Sequence, residues 1–254
     1  MAERKEILII IPAYNEAKNI DNFLESLEKT EIVKKADILV MNDASSDNTK
    51  EIVKARHHAV INHVFNLGYG SGLQVGYKYA AKHGYEYVIQ MDADGQHDAC
   101  NVKTIYNCLV SDEKPDIVLG SRFLKDSVAY KMPTVKKIGY SLLRTLIRIG
   151  TGRKITDPTT GLQGLSRRAF KYYAGYNHFD DKYPDANMIM LMLLIGYKVC
   201  EIPAVMHPRT AGESMHSGLK PVMYMLRMFL SVIAVWLRIK LFHMDERIED
   251  ETSV

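Results

Sequence analysis

The stretch EILIIIPAYNE, residues 6–16, carries five consecutive aliphatic side chains into a proline, an aromatic ring, an amide and a carboxylate. The apolar run reads as a buried strand and the polar residues as the loop at its carboxyl end. The pattern then recurs. ADILVMND at 36–43, HAVINHVF at 58–65, YEYVIQMD at 85–92 and PDIVLGS at 115–121 read as four further strands. Segments of helical spacing lie between them. Residues 16–29 place Ile20, Phe23, Leu24 and Leu27 on one face, a second helix runs from an Asp47 or Asn48 N-cap to about 57, and others cover 73–82 and 102–109. This alternation predicts an α/β fold with a mainly parallel sheet flanked by helices. In such sheets ligands bind beyond the carboxyl ends of the strands. There the chain concentrates its polar clusters PAYNE, NDASSDN, NLGYGSG, DADGQHD and GSRF.

The second half is more helical. Residues 134–149 predict a basic amphipathic helix, GLQGLSRRAF at 161–170 a short strand entering a helix, 185–195 an apolar helix, and YKVCEIP at 197–203 a late strand. With no repeat or low-complexity linker, residues 1–217 read as one continuous domain. Beyond them Val222, Leu226, Phe229, Leu230, Ile233, Leu237 and Leu241 form a helical stripe opposite a narrow face of Arg227, Ser231, Ala234 and Arg238. A bilayer-spanning helix needs about 20 predominantly apolar residues, and the two arginines leave ten positions between them. Segment 218–243 therefore predicts an in-plane amphipathic helix on a membrane surface, or one docked on a partner such as a small membrane protein. A terminal helix packed on its own domain has the same pattern. Residues 244–254 read as an acidic tail.

A net charge of +3 and a pI near 8.6 are too weakly basic to point to nucleic acid, but they tolerate an anionic ligand. Cys100, Cys108 and Cys200 have neither metal-ligand spacing nor the look of a disulfide framework, and read as buried thiols in a reducing compartment. MAERKEILIIIP has a short apolar run and no cleavage site, which argues against a signal peptide and for a cytoplasmic protein.

The carboxylates of VIQMDADGQHD, residues 88–98, carry the chemistry. Asp92 and Asp94, two apart on an extended backbone, point to one side. With the amide oxygen of Gln96 they suit Mg2+ or Mn2+, cations that take part of their oxygen shell from substrate phosphates. His97 reads as a loop residue rather than a ligand. Asp43 could accept from a base or ribose donor, and Tyr14 could stack on a base with Glu16 reaching a ribose hydroxyl. The glycines of NLGYGSG permit close backbone approach or positive φ, but match neither a P-loop nor a dinucleotide fingerprint. GSRF and PRTAGES each place an arginine in a loop, as anionic oxygens require.

Taken in order, IPAYNE, MNDASSDNT, NLGYGSGLQVG, MDADGQHD, GSRF, DPTTGLQGLSR and PRTAGES resemble the family 2 glycosyltransferases over residues 5–217. The likeness is strongest to the branch of dolichol- and polyprenyl-phosphate sugar transferases. It implies a GT-A fold, a UDP- or GDP-sugar donor, Mg2+ or Mn2+, and inversion at the anomeric carbon. By position, Pro12, Ala13, Tyr14, Glu16 and Asp43 would hold the nucleoside. Asp92, Ala93 and Asp94 would line the nucleotide pocket with help from Ser214. Asp94 and Gln96 would hold the metal, and Arg122 and Arg209 would contact phosphates. The family's paired aspartates after the second strand are Asn42 and Asp43 here.

Two acceptors remain open. A polyprenyl phosphate is anionic at neutral pH and needs no base, so Arg122, Lys136 and Lys137 would only cancel charge repulsion. A sugar hydroxyl of a lipid-linked saccharide needs a carboxylate within about 3 Å. FDDKYPDAN, residues 179–187, would supply it as Asp185, ahead of Asp180 and Asp181. The basic and terminal helices and the PRTAGES loop favour the phosphate; YPDAN and the lack of C-terminal spans favour the hydroxyl. A non-catalytic nucleotide-sugar-binding subunit is the third reading, opposed by the intact Asp92, Asp94, Gln96 and Arg209. The expected location is the inner face of the membrane.

Overall fold

The computed structural model describes residues 5–130, 134–208 and 220–242. Its elements run β1 (Ile7–Ala13), α1 (Ile20–Glu28), a 3-10 turn (Glu31–Lys35), β2 (Ala36–Asn42), α2 (Thr49–Ala55), β3 (Ala59–Asn62), α3 (Tyr69–His83), β4 (Tyr87–Gln90) and α4 (Cys100–Leu109). There follow β5 (Ile117–Ser121), α5 (Thr134–Thr151), β6 (Gln163–Ser166), α6 (Arg167–Ala174), α7 (Ala186–Leu194), β7 (Val199–Pro203) and α8 (Lys220–Lys240).

The strands form a sheet in the order β3-β2-β1-β4-β6-β5-β7. β1 pairs in parallel with β2 and β4, β2 with β3, and β5 with β7, while β6 runs antiparallel between β4 and β5. The sheet is thus mainly parallel, as the alternation of elements predicts. The reversal of β6 was not visible, because apolar patterning carries no strand direction. All strands but β6 end on one edge, where the polar loops gather.

β1 shows why the sheet holds. Leu8 and Ile10 enter one core with Leu73 and Tyr77 of α3 and Phe170 of α6. Ile7, Ile9 and Ile11 enter the other, with Phe23, Leu24 and Leu27 of α1 and Val102 and Ile105 of α4. Burying each such side chain contributes about 1.5–3 kcal/mol. At the edge, β3 stops at Asn62, short of the predicted strand, and Val64 and Phe65 are exposed. α1 begins at Ile20, because the Glu16 carbonyl first accepts the amides of Asn19 and Ile20 in a turn. α3 begins at Tyr69, inside the glycine-rich stretch.

α8 packs on α5 and α7. Met228 and Val232 are its buried residues, with Tyr224, Met225, Val235 and Ile239 packed around them. Met223, Leu226, Leu230, Leu241 and Phe242 are exposed. The stripe through Leu226 and Leu230 is therefore not the packed face. Both faces are apolar, and periodicity alone could not choose between them. Among the described residues no helix is long and apolar enough to cross a membrane.

Candidate active site

The loops after β1, β2 and β3 are wired to one another. Ser45 Oγ accepts the amide of Asn15 at 2.9 Å, and Asn15 Oδ1 accepts that of Ser46 at 2.8 Å. Asp47 accepts the amides of Ala17 and Thr49, both at 3.0 Å, and so does the capping work at the start of α2; Asn48, at the formal cap position, makes no side-chain cap bond. Glu16 accepts from Asn19 Nδ2 at 2.7 Å. Asp43 is buried. Its carboxylate accepts the amides of Leu67 at 2.8 Å and Gly68 at 2.9 Å, and lies 2.9 Å from His63 Nδ1. The residue expected at the nucleoside thus also clamps the glycine-rich turn, where Gly68 sits at φ +94°. Pro12 and Ala13 end β1 beside it, and the Tyr14 ring is half exposed beyond them.

Asp92 and Asp94 lie past the end of β4, in the loop. Asp92 Oδ1 accepts the Tyr69 hydroxyl at 2.8 Å, and Tyr69 in turn accepts from Gln90 Nε2 at 3.0 Å. The Asp92 amide donates to His97 Nδ1 at 3.0 Å, so the ring proton sits on Nε2, 3.8 Å from Asp92 Oδ2. Burial pushes the His97 pKa down to about 4, which keeps the ring neutral near pH 7. Gly161 lies against the same carboxylate, where a Cβ would come 2.6 Å from Asp92 Oδ2. Asp94 Oδ1 accepts the Gln96 amide at 3.0 Å across Gly95, which has φ +76°. Asp98 is used elsewhere: it accepts the Cys100 amide at the start of α4 and bonds His207 Nε2, both at 2.8 Å.

Among the described residues no group of three or more His, Cys, Asp or Glu side chains makes a ready metal cage. By donor type, the oxygens of Asp92, Asp94 and Gln96 suit a divalent cation that would complete its shell with substrate oxygens and water. They do not fit a structural site closed by the protein alone.

Arg122 follows β5 and is nearly buried. Its Nε and Nη2 form a fork on Asp157, each at 2.6 Å, and Nη2 also donates to Thr159 Oγ1 at 3.0 Å. Glu201 of β7 holds the other end of this network by accepting the amides of Thr156 and Asp157 at 2.8 Å. Burial opposes the Arg122 charge, but the Asp157 bonds and charge outweigh it and raise the pKa further. Beside it, Arg144 of α5 lies 3.9 Å from the Phe123 ring centroid. Arg209 and Ser214 fall outside the described residues, as does the Lys136 side chain.

On the opposite side, the 180–187 segment lies on the start of α3. A Cβ at Gly70 would meet the Asp180 carbonyl at 2.0 Å, and Ser71 donates its amide to Asp181 O at 2.9 Å. The glycines here admit the chain's own backbone. Asp180 receives Asn187 Nδ2 at 2.8 Å and the amides of Lys182 and Tyr183 at 2.9 Å, so it serves the loop. Asp185 accepts the hydroxyl of Tyr224, on α8, at 2.6 Å. Burial raises its pKa to about 6, opposed by the Tyr224 bond and reinforced by the Asp92 charge. Tyr69, Asp157, Gly161 and Tyr224 were not singled out by sequence reasoning. Each acts on a partner far along the chain, and only the quoted motifs containing the first three hinted at them.

A family model described as glycosyl transferase family 2 matches residues 8–174. The undecaprenyl-phosphate mannosyltransferase of Micrococcus luteus is 28% identical over 84% of the chain and 88% of its own length. The UDP-N-acetylglucosamine–dolichyl-phosphate N-acetylglucosaminyltransferase of Methanococcus voltae is 30% identical over 66% of the chain and 72% of its own. Among solved structures, glucosyl-3-phosphoglycerate synthase of Mycobacterium tuberculosis with Mn2+ and UDP-glucose superposes with a TM-score of 0.64 at 16% identity, over 92% of this chain and 79% of that one. The architecture is the GT-A fold of such enzymes.

Proposed function

The chain belongs to glycosyl transferase family 2 and is a glycosyltransferase, and from that premise we propose that it transfers a sugar, with inversion, from a nucleoside-diphosphate sugar to a polyprenyl phosphate at the inner face of a membrane. The observation that carries this reading is the double use of α8. Its inner face bonds Asp185 through Tyr224, while Met223, Leu226 and Leu230 look outward. Ile138, Leu142 and Ile149 of neighbouring α5 are exposed as well. Two helices with exposed apolar faces beside the site suit an acceptor whose tail lies in lipid. The names of the two relatives, which act on undecaprenyl and dolichyl phosphate, support the same acceptor.

In this reading Pro12, Ala13, Tyr14, Glu16 and Asp43 hold the nucleoside, with Asp92 and Ala93 lining the pocket. Asp94 and Gln96 would bind Mg2+ or Mn2+, which when present supplies positive charge to the diphosphate leaving group. The acceptor phosphate is its own nucleophile, so the chain has to orient it and cancel repulsion. Arg122, fixed by Asp157 and Thr159, offers a charge that needs no reorganisation. Exposed Lys137 adds another at the start of α5.

One observation favours the hydroxyl acceptor instead. Burial pushes the Asp185 carboxyl up to about 6, a value that would suit a general base near neutral pH. The deciding test incubates purified protein with Mn2+ or Mg2+, radiolabelled UDP- and GDP-sugars and a short polyprenyl phosphate. Label in an acid-labile, organic-soluble product is expected. Metal-dependent donor binding without that product would transfer the assignment to a hydroxyl acceptor.

A further inference from the structure

Cys108 lies in the last turn of α4 and Cys200 is the second residue of β7. Their Sγ atoms are 3.1 Å apart although 92 residues separate them. A disulfide bond is about 2.05 Å long, so a side-chain shift of about 1 Å closes the gap. Both thiols are half-buried, whereas Cys100 is exposed at the other end of α4, about 12 Å away at the helical rise per residue. Cys100 therefore cannot compete for either sulfur. β7 is an edge strand paired with β5, and α4 packs across β5, β6 and β7. The residue after Cys200 is Glu201, which anchors the Thr156–Asp157 turn behind Arg122.

We infer that Cys108 and Cys200 are an oxidation site that closes into an intramolecular disulfide when a peroxide is the oxidant, fastening β7 to α4 and leaving Cys100 as the one free thiol. In the first step the Cys108 thiolate attacks a peroxide oxygen. The O–O bond breaks, sulfur becomes a sulfenic acid, and the departing hydroxide takes a proton to become water. The Cys200 sulfur then attacks the oxidised Cys108 sulfur. An S–S bond forms, the S–O bond breaks, and the Cys200 proton leaves with the oxygen as a second water. Two thiols and one hydrogen peroxide give one disulfide and two waters. Burial, the Cys108 thiol and the charges of Glu113 and Glu201 push the Cys200 thiol well up, which suits it to the second step, where the sulfur still carries its proton. Because the attacking species is a thiolate, closure is faster as pH rises. The spacing of the three cysteines did not show this pair, because the contact is made by the sheet.

The test uses the full chain, reduced with a phosphine, freed of reductant, treated with equimolar hydrogen peroxide and then alkylated. One alkylated thiol in place of three is expected, with a non-reducing peptide map joining Cys108 to Cys200. Closing so long a loop is expected to raise Tm by about 5–10 °C. Cys108→Ser and Cys200→Ser should each abolish the cross-link and the rise; Cys100→Ser should keep both. Three alkylated thiols after oxidation, oxygen adducts without a cross-link, or a bond to Cys100 would overturn the assignment. So would a cross-linked protein with unchanged Tm.

Discussion

The edge formed by β1, β2 and β3 and the side formed by α5, α7 and α8 build the two sides of the candidate site in opposite ways. On the first, loop holds loop: Asp43 clamps Leu67 and Gly68, Asp47 ties Ala17, and Asn15 ties Ser46. These bonds fix backbone before any ligand arrives, which suits a small polar donor that must meet the same groups each time. On the second, helices are held by apolar packing through Met228 and Val232, and part of the apolar surface stays uncovered. That suits an acceptor delivered by a lipid phase, whose tail needs a surface rather than a pocket. The two sides are coupled at Asp185, whose pKa is raised by burial and, in smaller part, by the Asp92 charge.

The contrast can be broken in order of effect. Asp94→Ala, on the donor side, is expected to lower transfer about a thousandfold while circular dichroism and Tm stay unchanged; full activity would remove Asp94 from the metal. Asp157→Asn strips the fork from nearly buried Arg122 and should cost about 3 kcal/mol, seen as a Tm lower by about 6–10 °C. An unchanged Tm would show that Thr159 and solvent suffice.

Asp185→Asn sharpens the comparison in the other direction. Because the folded pKa lies above the unfolded value, folding favours the protonated acid. The penalty is absent below the ordinary aspartate value of 3.8 and complete above about 6. The amide variant should therefore be more stable by about 2–3 kcal/mol at pH 8 and no more stable at pH 3, read by denaturant unfolding. Transfer that survives the change would exclude Asp185 as a base. The smallest effect belongs to Tyr224→Phe. Loss of its hydroxyl removes a bond that lowers the Asp185 pKa, so a base role for Asp185 requires the acid limb of the pH–rate profile to move up. With a phosphate acceptor the limb should not move.

How far the sequence could be read depended on where the information sat. The run Ile7 to Ile11 announces a strand because its neighbours in the chain are enough to say so. HAVINHVF misleads at its end, since Val64 and Phe65 look like strand residues yet have no sheet to enter. The glycines hid the start of α3, because the reason for Gly70 is a carbonyl more than a hundred residues later. Arg122 was legible as a loop cation, but its fork on Asp157 was not: no local pattern joins residues 35 apart. The same holds for Tyr224 and Asp185, and for the sulfur pair. Motif order pointed to the carboxyl edge of the sheet as the candidate site, and only tertiary distance showed which of its polar residues hold one another.

The reversed strand β6 also sets a timetable. β3, β2, β1 and β4 are complete once residue 90 has emerged, so that half of the sheet can form from near neighbours in the chain. Its open edge on β4 must then wait for Gln163 to Ser166, and β5 waits longer still, for Val199 to Pro203. Through that interval a nascent chain presents an unpaired apolar strand, the kind of edge that recruits other chains. Slow elongation through residues 91–162 should therefore lower the yield of soluble protein more than the same delay placed before residue 90.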